Sequence, residues 1–373
     1  MTVQLTDKDI SGKLENYCYT ECNDSSDAQT KEGRGLVYKD GKPFLKSFGY
    51  TPHHTQQNIP KEVLSYLTSN IKNLRFFDAH EGTLLRVFYN DVNDTWYLST
   101  HKKLDARKSR WGSMTTFGEK FDSLIPENFY QNLNKDYHYM ILLSLSEDNR
   151  IVCTKYLNNL FHVGTFNHNF NLSFDVDIGI PRPQEYKFES MDQLFSFVNN
   201  PAFRFTDTQG ILIADGNTNT NIKILNTRYT EYSAVRGNVA SIPFRSLQVR
   251  LDVHNKAVFT SMYPAYTPNF EEYENTLYTI SKQIFAAYMA RFVEKKFIKV
   301  SPDKFRIIKL CHSWHQADKS NNKMSLEKVI RFVNMQDAIY LNRIIKQYKL
   351  DLKEKQGGSP EFTRQDAVVE GQD

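Results

Sequence analysis

The stretch Phe76-Phe-Asp-Ala-His-Glu-Gly-Thr-Leu-Leu-Arg-Val-Phe-Tyr89 decides the assignment of the fold. Its acid–glycine step, Glu81-Gly82, opens a run of β-favouring residues from Leu84 to Tyr89, so it predicts a strand that is entered through a tight backbone segment. A polar Asn/Asp turn and a second β-favouring run, Thr95 to Thr100, follow. The sequence therefore predicts an antiparallel strand pair here.

Short strands and a few helices are predicted on both sides of this pair. The further strand pairs are 35–38 with 43–45, 137–145 with 150–155, and 210–214 with 221–225. Short helices are predicted at 61–73 and 191–198, and residues 1–30 are expected to form loosely packed helix or loop. These elements indicate an α+β layout built on antiparallel sheet.

The pattern becomes helical near the C-terminus. Apolar residues recur at helical spacing from Phe270 to Phe292, and further helices are predicted to begin at Pro302, after Ser325 and at Gln336. We therefore expect a sheet domain at 1–255, an all-helical domain at 256–355 and a disordered tail at 356–373.

Composition limits the class of protein. The 373 residues are 40% hydrophobic and 24% charged, which is typical of a globular chain. No apolar run approaches the roughly 18 residues of a membrane span, and the N-terminus lacks a secretory signal. Four cysteines favour a reducing, intracellular compartment. The net charge of +4 does not by itself indicate a nucleic-acid partner, and the abundant asparagine hints at a viral, AT-rich genome.

Several short motifs follow one another in a fixed order around the decisive stretch. They are Arg34-Gly35, then Lys46-Ser-Phe48, the Ala79-His-Glu-Gly-Thr-Leu84 segment, Asn149-Arg-Ile-Val152, Gln209-Gly210 and Ile222-Lys223. This order, with its strand context, resembles the covalent nucleotidyltransferases. It is most similar to the ATP-dependent RNA ligases of the phage tRNA-repair type, over about residues 30–250.

The resemblance implies an antiparallel-sheet nucleotidyltransferase domain, of an ATP-grasp-like ligase type, that uses ATP and Mg²⁺. In that family a lysine amine attacks the α-phosphate, and the adenylate then activates an RNA 5′-phosphate for joining to a 3′-hydroxyl in RNA repair. Carried over, the nucleophile position is Ala79 and Lys223 is the second catalytic residue. Nucleotide-binding residues would be Arg34, Lys46, Phe48, Glu81, Gly82, Arg86 and Gln209.

This chain departs from the family at four positions. Alanine stands at the lysine position, Leu143 and Gln209 stand where the family has acids, and Leu225 replaces a second lysine. The acids would normally help to hold metal and nucleotide. Nearby carboxylates that could substitute for them are Asp207, Asp215 and Glu231.

Two basic sets offer RNA contacts by the same resemblance. Around His101 lie Lys102, Lys103, Arg107, Lys108 and Arg110, and the C-terminal helices carry Arg331, Arg343, Lys346 and Lys349. Solvated charged surface is the plain alternative for both sets. The segment Cys311-His-Ser-Trp-His315 could hold a metal, but histidine and aromatic packing between helices is favoured. For Arg34, Phe48 and Lys223, ordinary surface or core roles stay open.

Three hypotheses follow. The first is an ATP-dependent RNA ligase present in a lysine-to-alanine form. The second is a non-catalytic protein, or pseudoenzyme, on the same scaffold that binds RNA or serves as a viral accessory protein. The third, a capping-type guanylyltransferase or a DNA ligase, is disfavoured because helices stand where an OB-fold would follow.

Overall fold

A computed structural model describes residues 3–355, and the predicted tail at 356–373 lies outside this range. Two compact units meet in sequence between Ala234 and Val235. The sequence predicts a boundary near 255; in this division the two short helices at 242–249 and 253–262, which the sequence left unassigned, belong to the second unit. None of the helices in the described range is long and apolar enough to cross a membrane.

The first unit contains three sheets. Its strands are β1 Val3–Lys8, β2 Leu14–Tyr19, β3 Arg34–Lys39, β4 Lys42–Leu45, β5 His53–His54, β6 Arg75–Asp78, β7 Thr83–Asn90, β8 Thr95–Ser99, β9 Tyr137–Leu143, β10 Leu160–Asn167, β11 Leu172–Ser173, β12 Glu185–Tyr186, β13 Gly210–Asp215 and β14 Thr220–Leu225. Their orders are β1-β2-β3-β4, β11-β10-β9-β7-β8 and β12-β6-β13-β14-β5. Neighbours are antiparallel except that β5 runs parallel to β14.

The helices lie between these strands and throughout the second unit. They are α1 Ala28–Glu32, α2 Lys61–Asn70, α3 Phe117–Asp122, α4 Met191–Val198, α5 Thr227–Arg236, α6 Ile242–Val249, α7 Val253–Met262, α8 Thr267–Tyr288, α9 Pro302–Ala317, α10 Leu326–Asn334 and α11 Ala338–Lys355. A π-helical turn, Met289–Val293, extends α8. The expected mixture of antiparallel sheet and helices is confirmed, and the regular elements described in 235–355 are helical.

The expected helix or loop at 1–30 was wrong for Val3–Lys8 and Leu14–Tyr19, which form strands, whereas 20–27 are loop and α1 begins at Ala28. In β2 the side chains of Leu14, Asn16 and Cys18 are buried while the intervening ones are half-buried. This alternation is the period of a strand with one covered face. β2 pairs with β1 on one side and β3 on the other.

The β3–β4 hairpin forms as predicted. Asp40 and Gly41 both adopt positive φ, at 49° and 75°. Two such residues make the tight turn whose twist matches paired strands, and Asp-Gly is well suited to it. Arg34 is thereby fixed at the start of β3.

The strand expected at 150–155 does not form, and β9 pairs instead with β10 and β7. The backbone N–H groups of Ile151 and Val152 donate to the Glu81 carboxylate rather than to a neighbouring strand. A side chain has thus replaced the ladder partner that a β-favouring run would otherwise find.

Separate apolar cores stabilise the sheets and the helical unit. One core lies on the β7–β9–β10 sheet and another packs α2 and α4 on the β6–β13–β14 sheet. Phe77 and Ala214 from one sheet and Met140 and Phe166 from the other share a third core. Residues 79–82 connect these two sheets, since β6 ends at Asp78 and β7 begins at Thr83.

Candidate nucleotide site

Ala79 is held by backbone hydrogen bonds at the end of β6. Its N–H donates to the carbonyl of Gly210 at 3.0 Å, and its carbonyl accepts from the N–H of Gln209 and the hydroxyl of Thr208, both at 2.8 Å. The residue is 2% exposed. The backbone at the nucleophile position is therefore fixed against β13, beside the residue that stands at the second acid position.

Glu81 joins the connecting segment to the loop that follows β9. Its carboxylate accepts from the N–H of Val152 at 2.7 Å and from that of Ile151 at 3.1 Å. Burial raises the pKa of Glu81, while hydrogen bonds from this loop act in the opposite direction. The carboxylate therefore stabilises the local fold, whatever else it contacts.

Gly82 is required by a close approach between strands. A Cβ at this position would lie 2.5 Å from the carbonyl oxygen of Leu143 in β9. A side chain could be accommodated only if β7 and β9 separated. The acid–glycine pair that the sequence singled out therefore has a structural reason for each residue.

Lys223 and Gln209 form a hydrogen-bonded chain with Tyr229. The Lys223 ammonium donates to Gln209 Oε1 at 2.7 Å, and Gln209 Nε2 donates to the Tyr229 hydroxyl at 2.7 Å. Burial, followed by the positive charge of Arg34, lowers the pKa of Lys223 to about 8. Glu81 acts against this shift, so these five polar residues share one neighbourhood.

Strand pairing explains how residues distant in sequence reach this neighbourhood. Lys223 lies opposite His53 in the parallel β5–β14 pair, and its N–H donates to the Pro52 carbonyl at 2.9 Å. Gln209 directly precedes β13, which pairs with both β6 and β14. The fold therefore brings together Arg34, Ala79, Glu81, Gln209 and Lys223 from the predicted set.

His80 lies beside this cluster and was not singled out by the sequence. Its ring stacks on Phe161, with centroids 4.2 Å apart and planes inclined by 9°, and meets Tyr156 edge-on. Burial, then the charges of Lys223 and Lys155, lowers its pKa to about 4. The imidazole is therefore neutral near pH 7, and no local sequence signal could have shown the stack.

Asp78 is a second residue that the sequence missed. Burial raises its pKa to about 6, although Tyr186 and Lys155 oppose the shift. Among the described residues its Oδ1 atom has no hydrogen-bond partner. Asp207, which raises the Asp78 pKa further, pairs with Lys155 and Arg204 at 3.5 Å each. The segment before Ala79 thus carries a carboxyl group that titrates close to neutrality.

Leu143 and Leu225, the two leucines where the sequence departs from the ligase motifs, are part of the core. Leu143 is 2% exposed within the core of the β7–β9–β10 sheet, and Leu225 is 7% exposed at the end of β14. Apolar side chains at such places gain free energy from burial, about 2 kcal/mol each. A carboxylate or an ammonium in the same surroundings would need a partner.

Three predicted nucleotide ligands have other contacts. Arg86 is fully buried, donating to carbonyl and side-chain oxygens of Gly35, Asn16, Thr100 and Ser99, so the structure gives it a structural role instead of the expected nucleotide contact. Phe48 is 6% exposed and packs on Phe166, and Lys46 lies 3.5 Å from the Glu32 carboxylate. Ordinary packing explains Phe48.

The basic residues near His101 differ in whether an acid pairs with them and in how exposed they are. Arg107 pairs with Asp122 at 2.6 Å and closes a small helix–loop contact. Lys102, Lys108 and Arg110 are exposed, and Lys103 is half-buried. Their role in binding RNA stays a prediction.

The basic residues expected in the helical unit are mostly paired. Arg331 pairs with Glu327, Arg343 with Asp303 and Lys349 with Glu272, at 2.6 to 3.0 Å. Nearby acids therefore compensate these three charges.

Histidine packing between helices is confirmed at the Cys311–His315 segment. His312 stacks on Phe292 at 3.8 Å, and His315 Nδ1 lies 2.7 Å from the Asn322 carbonyl.

Within residues 3–355 no group of three or more histidine, cysteine, aspartate or glutamate side chains could hold a metal. Of the suggested substitute acids, Asp207 pairs with Lys155, Asp215 accepts from Tyr66 and Thr218, and Glu231 is exposed. The use of Mg²⁺ stays a prediction.

Two cavities are lined by residues other than those of this cluster. One, of about 490 Å³, is lined by residues of the N-terminal sheet and α1, including Tyr17 and Tyr38. The other, of about 370 Å³, is lined by the start of α8 and by Tyr348. That Ala79 forms the floor of a nucleotide pocket therefore stays a prediction. What the structure describes there is the cluster that contains Arg34 and Lys223.

Comparison with known proteins finds viral relatives. No protein-family profile matches the chain. It is 28% identical over 285 residues to an "Immediate-early protein ICP-46 homolog" of Invertebrate iridescent virus 3, covering 73% of this chain and 63% of that protein. It is also 28% identical over 377 residues to the protein of that name in Invertebrate iridescent virus 6, covering 91% and 82%. These relatives support a virus-encoded chain.

Similar solved structures are ATP-dependent ligases at low identity. An archaeal ATP-dependent RNA ligase has a TM-score of 0.42 and 10% identity, covering 72% of this chain and 68% of that one. A putative ATP-dependent DNA ligase from Aquifex aeolicus has a TM-score of 0.40 and 11% identity, covering 70% and 68%. At these scores the likeness carries no functional conclusion, and the tRNA-repair type stays a prediction.

Proposed function

We propose that the first unit binds an adenine mononucleotide without forming a covalent adenylate. The observation that carries the proposal is the chain of Lys223, Gln209 and Tyr229 beside Ala79. Cationic groups of the kind that receive nucleotide phosphates are retained there, while the nucleophile is not. In this proposal the protein is a nucleotide-binding accessory protein of a virus.

Absence of covalent chemistry follows from the side chains themselves. An alanine methyl group cannot attack phosphorus, and Gln209 has no charge with which to orient an amine or a metal. A lone lysine-to-alanine change would have left the acids at the other positions in place. Instead Leu143 and Leu225 are buried and the Gln209 side chain is hydrogen-bonded to Lys223 and Tyr229, which supports a non-catalytic site.

Phosphate binding is supported by the positive charge around Lys223. Arg34 and Lys223 act on each other electrostatically, and no described carboxylate pairs directly with the Lys223 ammonium. A bound phosphate would stabilise this ammonium and raise its pKa again. In this proposal these cations contribute to neutralising the charge of the nucleotide phosphates.

The test is a titration of the intact chain with a fluorescent ATP analogue. Arg34→Ala and Lys223→Met should each weaken binding about 10-fold or more, because each removes a charge from the phosphate site. Lys42→Ala, which removes an exposed lysine of β4, is the matched control and should bind as the unchanged chain does. Equal affinities for all four proteins would contradict the proposal.

A second candidate, an ATP-dependent RNA ligase disabled at position 79, is favoured by the retained motif order and by Lys223 with its lowered pKa. It predicts that Ala79→Lys restores a radiolabelled protein–AMP adduct with α-labelled ATP and Mg²⁺. It also predicts joining of RNA ends that carry a 5′-phosphate and a 3′-hydroxyl. Our first proposal predicts neither, so a labelled adduct in this variant would replace it with the ligase.

A further inference from the structure

An exposed phenylalanine stands on the loop that joins α8 to α9. Phe297 is 90% exposed, whereas every other phenylalanine among residues 3–355 is buried or half-buried. A ring that contacts so little of its own chain is available to a partner. The loop belongs to the second unit, and the residues of the proposed nucleotide site belong to the first.

The loop is held in place at its base. The N–H of Glu294 donates to the Met289 carbonyl at 3.0 Å, and the N–H of Lys296 donates to the Ala290 carbonyl at 2.8 Å. Phe292, just before the loop, stacks on His312 of α9. Phe297 is therefore presented from an anchored turn, which lowers the entropy lost when a partner binds.

Lysines surround the exposed ring. Lys295, Lys296 and Lys299 are all exposed, and the one acid of the loop, Glu294, pairs with Lys296 at 2.9 Å. We call Phe297 with these three lysines the Phe297 surface.

We infer that the Phe297 surface binds single-stranded nucleic acid. A base can stack on a free aromatic face, and the lysines around the ring match the phosphates on either side of that base. We expect this binding to be independent of nucleotide sequence, since the surface offers a ring and charges rather than groups that recognise base edges. The inference does not depend on nucleotide binding by the first unit.

Two comparisons favour this surface and this partner. The basic residues on α10 and α11 are largely compensated by acids, whereas the lysines of the loop outnumber its one acid three to one. Binding to an anionic membrane needs a larger apolar contact than one ring and Val293 provide. Nucleic acid is a polyanion that also offers rings for stacking, so it is the partner that matches this surface.

The experiment measures binding of the intact chain to a fluorescein-labelled 20-nucleotide single strand over a range of salt concentrations. Phe297→Ala should weaken binding about 10-fold, and Phe297→Trp should retain it, because stacking needs a ring and not this particular one. In the triple variant K295A/K296A/K299A, log K should fall less steeply with log salt, so that the magnitude of the slope is smaller by about 2. Ile339→Ala, which removes another exposed apolar side chain of the same unit, should have no effect.

A charge-matched control separates this surface from general attraction. The triple variant K61A/K72A/K187A removes the same charge from exposed lysines of the first unit. If it weakens binding as much as the loop triple, or if Phe297→Ala binds like the unchanged chain, the inference is overturned. Binding to phosphatidylserine vesicles that depends on Phe297, without any effect on the oligonucleotide, would assign the surface to membranes instead.

Discussion

The backbone N–H and carbonyl of Ala79 are both hydrogen-bonded, while its methyl side chain has no reactive group. Three hydrogen bonds fix its peptide groups to residues 208–210 at the start of β13, and the methyl group is covered. Nearby, Lys223 donates to Gln209 rather than to a carboxylate. Ala79 therefore has a fixed backbone position and a side chain that cannot act as a nucleophile.

The buried neutral His80 predicts a specific acid sensitivity. Its pKa is about 4 in the folded chain and near 6.5 in the unfolded chain. Between these two pH values the histidine is protonated in the unfolded state but neutral in the folded state. His80 therefore contributes a loss of stability as the pH falls from 6.5 towards 4, about 2 kcal/mol at pH 5. His53, His138 and His162, whose pKa values burial also lowers to about 4, add their own losses. His80→Phe keeps a ring on Phe161 and should reduce the total loss by about 2 kcal/mol.

Urea unfolding at pH 7 and pH 5 measures the effect. A Trp314→Phe background leaves Trp96 and Trp111, so that tryptophan fluorescence reports on the first unit alone. An exposed histidine of the same unit, replaced in His168→Asn, is the control and should keep the acid loss. If His80→Phe loses as much stability as the unchanged chain between the two pH values, the buried imidazole is not its source.

At the scale of elements, the spacing between β7 and β9 depends on Gly82. Gly82→Ala would place a methyl group 2.5 Å from the Leu143 carbonyl, so the strands must shift and lose ladder hydrogen bonds. We expect a loss of about 2 to 3 kcal/mol in the free energy of unfolding, measured by urea in the same tryptophan background.

Gly216→Ala is the matched control for this change. Its added methyl group would lie 3.9 Å from the nearest ring carbon of Phe174, which is an ordinary contact, so stability should change by less than about 0.5 kcal/mol. Equal losses in the two variants would contradict the close approach between β7 and β9.

The sequence predicted elements well where a local pattern suffices. The β3–β4 hairpin follows from its Asp-Gly turn, and α8 follows from its apolar stripe. It failed at 150–155, because a β-favouring run there donates to the side chain of Glu81, a residue about 70 positions earlier. Such a long-range contact leaves no periodic signal.

At the scale of the molecule, the chain consists of a sheet unit and a helical unit, each with its own core. The order of motifs indicated which residues of the first unit meet, and Arg34, Glu81, Gln209 and Lys223 do so. The sequence could not indicate that Arg86 is enclosed by Gly35 and its neighbours. Nor could it show that acids pair with Arg331, Arg343 and Lys349 on α10 and α11, whereas near Phe297 one acid, Glu294, pairs with one of three exposed lysines, because both depend on which side chains face each other.

The central claim is that the first unit binds an adenine nucleotide and leaves it intact. It is tested most directly by titrating the unchanged full chain with ATP and Mg²⁺ in a calorimeter and then measuring the intact mass of the recovered protein. The account predicts saturable binding and an unchanged mass. A protein heavier by one adenylyl group, or the absence of any binding heat, would contradict it.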